Sequence, residues 1–182
     1  MISLILEPED LLDPFTVDWI NKELYEYPVS YGHRACDDGD DFFGRIFFWG
    51  EWREQFHQKN LPASVDYLTN FVATWLPSAT NKEFVDLRRI VLNAACPNQR
   101  GGVHWDSNDP SVWTVLYYIT DSSGDTNIYD GDFEEGVEAR NLVHTCKYKQ
   151  GKFVAFPSTY IHNAEAPESG WRMSLAWGIQ LR

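Results

Sequence analysis

Two stretches in the first half of the chain repeat their apolar residues at helical spacing. Behind Asp13–Pro14, an N-cap and first-turn pair, come Phe15, Trp19, Ile20, Leu24 and Tyr27, until Pro28 stops the run. The second runs from about Ala63, behind Pro62, to Leu76. Its stripe is Val65, Leu68, Phe71, Val72, Trp75 and Leu76, and Pro77 closes it. From about residue 84 the period changes to two. The segments FVDLRRIVLNAAC, SVWTVLYYIT, TNIYDG, NLVHTC, GKFVAFP and GWRMSLAWGIQ are expected as short strands, divided by Asp, Gly, Pro and Ser turns. The opening MISLILEPEDLL alternates like a first strand. Between the helices, CDDGDDFFGR (residues 36–45) reads as a solvated, irregular loop. A calcium-binding reading of that run lacks the EF-hand spacing and its closing Glu.

Two helices followed by many short strands predict a mainly β chain with supporting helices (α+β). The expected architecture is a sheet sandwich or jelly roll with the N-terminal helices packed on one outer face. Nothing in the 182 residues reads as a repeat or a long linker, so one domain is expected over 1–182, with helical support at 1–83 and a β core at 84–182.

Composition narrows the function classes. Hydrophobic residues make up 43%, with eight Trp, nine Tyr and eleven Phe, enough for a packed core. A net charge of −12 argues against general nucleic-acid binding, which needs clustered Lys and Arg. No window is apolar for the ~18 residues of a membrane span. The N-terminal run lacks a basic leader and reads as a poor signal peptide. Cys36, Cys96 and Cys146 are odd in number and far apart, which suits a reduced, cytoplasmic protein.

The candidate chemistry lies in the second half. In GWRMSLAWGIQLR, Trp171, Met173, Leu175, Trp177 and Ile179 share one strand face, and Arg172, Ser174, Ala176 and Gly178 share the other. A lone Arg among small residues suggests an anion anchor in a pocket, although a surface Arg would leave the same trace. His162 lies ten residues before it, and His104 and Asp106 point the same way if GGVHWDSNDP is extended. Each is unremarkable by itself. Together, two His and one carboxylate make the facial triad suited to non-haem Fe(II). Arg172, with Ser174 beside it, suits the far carboxylate of a keto-acid cosubstrate.

HWD, YIHNA and WRMSLAW in that order resemble the Fe(II)- and 2-oxoglutarate-dependent dioxygenases, which fold as a double-stranded β-helix (jelly roll, cupin-like). The likeness covers roughly residues 86–181 and is greatest to the prolyl 4-hydroxylase-like branch. TVLYYIT resembles that branch's T-x-x-Y-Y-L-N strand, and KYKQGKFVAFPS its lead-in to the distal His. The usual G-G-x-T turn is G-D-T here, which puts the loop geometry in question. The resemblance implies that His104, Asp106 and His162 bind Fe(II). It implies that Arg172, Ser174 and Tyr118 hold the distal carboxylate of 2-oxoglutarate, with Asn93 as a further cosubstrate contact. It also implies consumption of O₂ and hydroxylation of a prolyl residue in a peptide or protein, with release of succinate and CO₂. Ascorbate is a candidate auxiliary reductant.

Rival readings are the same chemistry on a free amino acid or other small molecule, a non-catalytic jelly-roll binding module, and zinc hydrolysis. The last would leave Arg172 unexplained. Nucleic-acid demethylases of this fold carry a second Arg six residues beyond the first, where this chain has Gly178. Trp105 and Trp113 are candidates for the mouth of the site or for packing, and the loops at 30–50 and 121–140 for substrate lids. His33, His57 and His144 match no motif and read as structural or surface residues.

Overall fold

The computed structural model describes residues 4–34, 39–50, 61–132 and 141–182. It contains the two expected helices, α1 (Pro14–Tyr25) and α2 (Ala63–Thr80). Asp13 caps α1, its Oδ1 accepting from the backbone N–H groups of Phe15 and Thr16. The inward residues of α1 are Ile20, Asn21 and Leu24, while Phe15 is 89% exposed, so the expected stripe is only half used. Helix α2 begins without a side-chain cap of its own. Glu23 of α1 substitutes by accepting from the Ser64 N–H at 2.8 Å, which joins the two helices.

Pro77 does not close α2. The helix runs one further turn, because a proline in the last turn forfeits only its own hydrogen bond. Asn81, in the left-handed region at φ 53°, ends it, with the Lys82 N–H on the Pro77 carbonyl at 3.0 Å.

Among the described residues there are nine strands, of which six follow the period-two segments and three were not expected. They are β1 (Ser30–His33), β2 (Phe42–Trp49), β3 (Phe84–Ala95), β4 (Val112–Tyr118), β5 (Thr126–Asp132), β6 (Leu142–Cys146), β7 (Phe153–Pro157), β8 (Tyr160–Ala164) and β9 (Arg172–Leu181). FFGR is therefore not loop but the start of β2, whose Phe48 is fully buried and pairs with Ile90 of β3. Cys36, Asp37 and Asp38 lie outside the described residues. The described part of the N-terminal segment, from residue 4, forms an isolated bridge between Leu6 and Ala155 in place of a strand.

A six-stranded sheet in the order β1-β2-β3-β9-β4-β7 faces a three-stranded sheet in the order β6-β5-β8, with all pairings antiparallel. Strand β9 shows how the layers form. Met173, Leu175, Trp177 and Ile179 join the helices in the main core, where Trp177 Nε1 donates to Thr69 Oγ1 of α2 at 3.0 Å. The other face of β9 looks toward the small sheet. There Leu116, Val154, Phe156 and Ala176 meet Ile128 and Cys146 in a second apolar layer. This mainly β sandwich with helices on one outer face is the expected architecture. Filling that second layer at one end leaves a cavity at the other.

Candidate active site

The cavity of about 360 Å³ is floored by cross-strand pairs of β3 and β9. Arg89 lies opposite Gly178, Val91 opposite Ala176, Asn93 opposite Ser174 and Ala95 opposite Arg172. Phe42, Ile46 and Trp49 of β2 stand at its walls, with Trp49 60% exposed.

His104, Asp106 and His162 converge here, their donor atoms within 4.8 Å of one another. His104 does not belong to a strand. Its backbone exchanges both hydrogen bonds with His162 of β8, at 2.9 and 2.8 Å, and the Asp106 N–H donates to the Ser158 carbonyl at 2.9 Å. These anchors, and not an extended strand, bring the imidazole centroids to 4.4 Å. Each His donates from Nδ1 to the carbonyl two residues before it. His104 reaches Gly102 at 2.8 Å and His162 reaches Tyr160 at 2.9 Å. In the neutral ring this leaves Nε2 as the lone-pair nitrogen, and both Nε2 atoms face Asp106, at 3.5 Å from Oδ1 and 3.6 Å from Oδ2.

Burial alone would raise the Asp106 pKa. The Arg89 guanidinium and the two imidazoles outweigh that and hold the carboxyl well below its ordinary range. Asp106 Oδ2 accepts from Thr114 Oγ1 at 2.6 Å and pairs with Arg89. His162 is pushed down to about 4, first by burial and then by His104, so it is neutral near pH 7. Two imidazole nitrogens and an ionised carboxylate are the donor set that suits a divalent, oxygen- and nitrogen-preferring metal.

Arg172 is 5% exposed at the inner end of the cavity. Its Nε donates to the Gly124 carbonyl at 2.7 Å and its Nη2 to Thr126 Oγ1 at 2.9 Å. Its guanidinium lies 5.0 Å from the Tyr148 ring centroid. Among the described residues no carboxylate pairs with it. A buried cation without an anion is costly, and the site fits a ligand that brings one. Ser174 and Asn93 line the same floor, and Asn93 Oδ1 is buried with no hydrogen-bond partner among the described residues.

Tyr118 stands behind this floor, not in it. Its hydroxyl donates to Thr126 Oγ1 at 2.8 Å and its ring stacks on Tyr148. Thr126 thus accepts from both Tyr118 and Arg172, which leaves its own O–H for an acceptor in the cavity. Neither Thr126 nor Arg89 stood out in the sequence. Gly178 was the available signal for Arg89, since a strand glycine marks a close approach. A Cβ there would lie 3.1 Å from Arg89 Cγ.

Trp113 is 2% exposed in the main core, so it does not line the mouth. Trp105 donates to Asn108 Oδ1 and is not part of the cavity wall. His33, read as structural, stands at the cavity mouth edge-on to Phe42. His57 lies outside the described residues, as do 133–140 of the expected lid.

Solved structures share this arrangement of elements. An oxidoreductase of the 2OG-Fe(II) oxygenase family from Burkholderia pseudomallei superposes with a TM-score of 0.72 at 18% identity, covering 97% of this chain and 84% of its own. The fold is that of the 2OG-Fe(II) oxygenases. A Pseudomonas putida prolyl-4-hydroxylase shares the oxygenase fold with a TM-score of 0.62 at 14% identity, over 98% of this chain and 92% of its own. The α-ketoglutarate-dependent carbocyclase SnoK of nogalamycin biosynthesis does so at 0.70 and 14%, over 98% and 80%. No protein-family model and no curated protein sequence matches the chain. No helix among the described residues is long and apolar enough to cross a membrane.

Proposed function

We propose that the protein is an Fe(II)- and 2-oxoglutarate-dependent dioxygenase that hydroxylates a prolyl residue in a peptide or protein. The observation that carries this reading is the pairing, in one cavity, of the His104–Asp106–His162 donor set with a buried Arg172 that no carboxylate among the described residues meets. A metal-only site would not need the arginine, and a binding module would need neither.

In this reading His104 and His162 ligate through Nε2, and Asp106 through Oδ1, because Oδ2 is engaged by Thr114 and Arg89. Bound Fe(II) with 2-oxoglutarate would supply the oxidation of the substrate C–H bond by O₂. The chain's own work is placement. Arg172 and the Thr126 hydroxyl receive the distal carboxylate, with Ser174 and Asn93 beside it. Tyr118 acts through Thr126. Phe156, edge-on to His162, and Leu116 keep the inner cavity dry. The apolar walls at Phe42, Ile46 and Trp49 suit a proline ring and its flanking backbone, and several neighbours in fold are prolyl hydroxylases.

Succinate release on addition of Fe(II) and 2-oxoglutarate tests the cosubstrate. Proline-rich peptides compared with free amino acids, read as a mass gain of one oxygen, test the substrate. Absence of both iron binding and 2-oxoglutarate binding by calorimetry would refute the enzyme. Oxygen gained only by free amino acids would refute the prolyl assignment alone.

A further inference from the structure

A second group of ligating side chains lies outside the cavity, where the N-terminal segment crosses the edge between the two sheets. Leu6 exchanges both backbone hydrogen bonds with Ala155 of β7, at 2.8 and 2.9 Å, and Ile5 packs on the apolar layer between the sheets. Glu7 then turns toward β6, where His144 and Cys146 are two residues apart and share one strand face. Glu7 Oε1 touches His144 Nε2, and the carboxylate, imidazole and thiol donor atoms all lie within 4.8 Å of one another. We propose that Glu7, His144 and Cys146 form a structural Zn²⁺ site that clamps the N-terminal segment to the small sheet.

One sulfur, one nitrogen and one oxygen donor suit a borderline-soft ion such as Zn²⁺. Thiolate and carboxylate together balance its two positive charges. Zn–ligand bonds of about 2.0–2.3 Å set neighbouring donors roughly 3.5 Å apart. The present spread, within 4.8 Å, is wider than that, so a bound ion would draw the three side chains together. Lys152 Nζ holds the other carboxylate oxygen, Oε2, at 2.5 Å, which orients Glu7 and leaves Oε1 toward the ion. The His144 side chain is 40% exposed, giving the ion an entry path and a water as fourth ligand. Cys146 is fully buried, so the thiol has no access to a substrate and its neighbours have no use for it as a nucleophile. The His104–Asp106–His162 set contains no sulfur, so the two sites sort metals by ligand softness.

Cobalt distinguishes the two sites, because only a thiolate ligand gives a sulfur-to-cobalt charge-transfer band in the near ultraviolet. Titrating Co²⁺ into the metal-free full chain is expected to develop that band and complete it within two equivalents, since the His104–Asp106–His162 set takes Co²⁺ without giving it. Cys146→Ser should abolish it. His144→Ala, at a partly exposed position that leaves the core intact, should weaken Zn²⁺ binding by more than about 100-fold in competition with a chromogenic chelator. Zn²⁺ should also slow amide exchange across residues 5–7 and 142–146 in the wild type but not in His144→Ala. A wild type that gives no thiolate band, or a band and Zn²⁺ affinity unchanged in His144→Ala, overturns the proposal. These readouts do not depend on oxygenase activity, so they stand or fall separately from it.

Discussion

Replacing Arg172 separates cosubstrate binding from metal binding. The guanidinium is held in advance by the Gly124 carbonyl and Thr126, so a carboxylate meets a fork already ordered. Charge-assisted hydrogen bonds contribute about 1.5–3 kcal/mol each, and a bidentate pair about twice that. Part of this is offset, because water admitted to the space left by Arg172→Ala can solvate the carboxylate. A net loss of about 3 kcal/mol remains, or roughly a hundredfold rise in the Kd for 2-oxoglutarate. The Mn²⁺ affinity should stay within about twofold, since neither His nor Asp106 contacts Arg172 among the described interactions. Calorimetry of 2-oxoglutarate into Mn²⁺-loaded protein gives the first quantity and chelator competition the second. A thermal melt checks folding. Arg172→Lys, which keeps the charge and loses the fork, should fall between, about tenfold weaker. Equal loss of metal and cosubstrate in a folded variant, or no loss of either, would refute the role of anion anchor.

The remaining expectations concern Arg89, His162 and β2. Arg89→Met leaves Asp106 buried without its cation and should destabilise the metal-free protein by about 3–5 kcal/mol. Mn²⁺ should then raise the melting temperature more in the variant than in the wild type, and an equal rise would show that the pair does not support Asp106. The His162 pKa is lowered from 6.5 to about 4, so between these values the unfolded chain binds a proton the folded one does not. Metal-free stability should therefore fall as pH drops from about 6.5 to about 4, by up to about 3 kcal/mol. Urea melts of His162→Gln should lose this slope, and a retained slope would assign it to another group. Phe48→Ala should cost about 3–5 kcal/mol if β2 closes the core. A change below about 1 kcal/mol would place Phe48 outside it.

The helices, six of the strands and the face of β9 that meets the cavity were legible from periodicity because burial enforces it. Strand β2 was not, since the acidic residues before Phe42 disguise its start and a register shift between Ile46 and Phe48 breaks its alternation. Arg89 was hidden for a similar reason. Counting by twos from the core residue Leu87 puts Arg89 on the helix side, but a bulge between Leu87 and Arg89 turns it to the cavity. The His–Asp–His set and Arg172 could be read as residue types in a familiar order. The Thr126 hydroxyl could not, because its value comes from the two donors that the fold aims at it.

Both imidazoles are set by carbonyls from their own immediate neighbourhood, Gly102 for one and Tyr160 for the other. The proton that decides which nitrogen is available is thus fixed within two tripeptides, without help from remote shells. Such units are portable. Grafted onto another antiparallel sandwich with the same mutual pairing of the two backbones, each would carry its own tautomer with it, and only the carboxylate and the arginine would need to be designed anew.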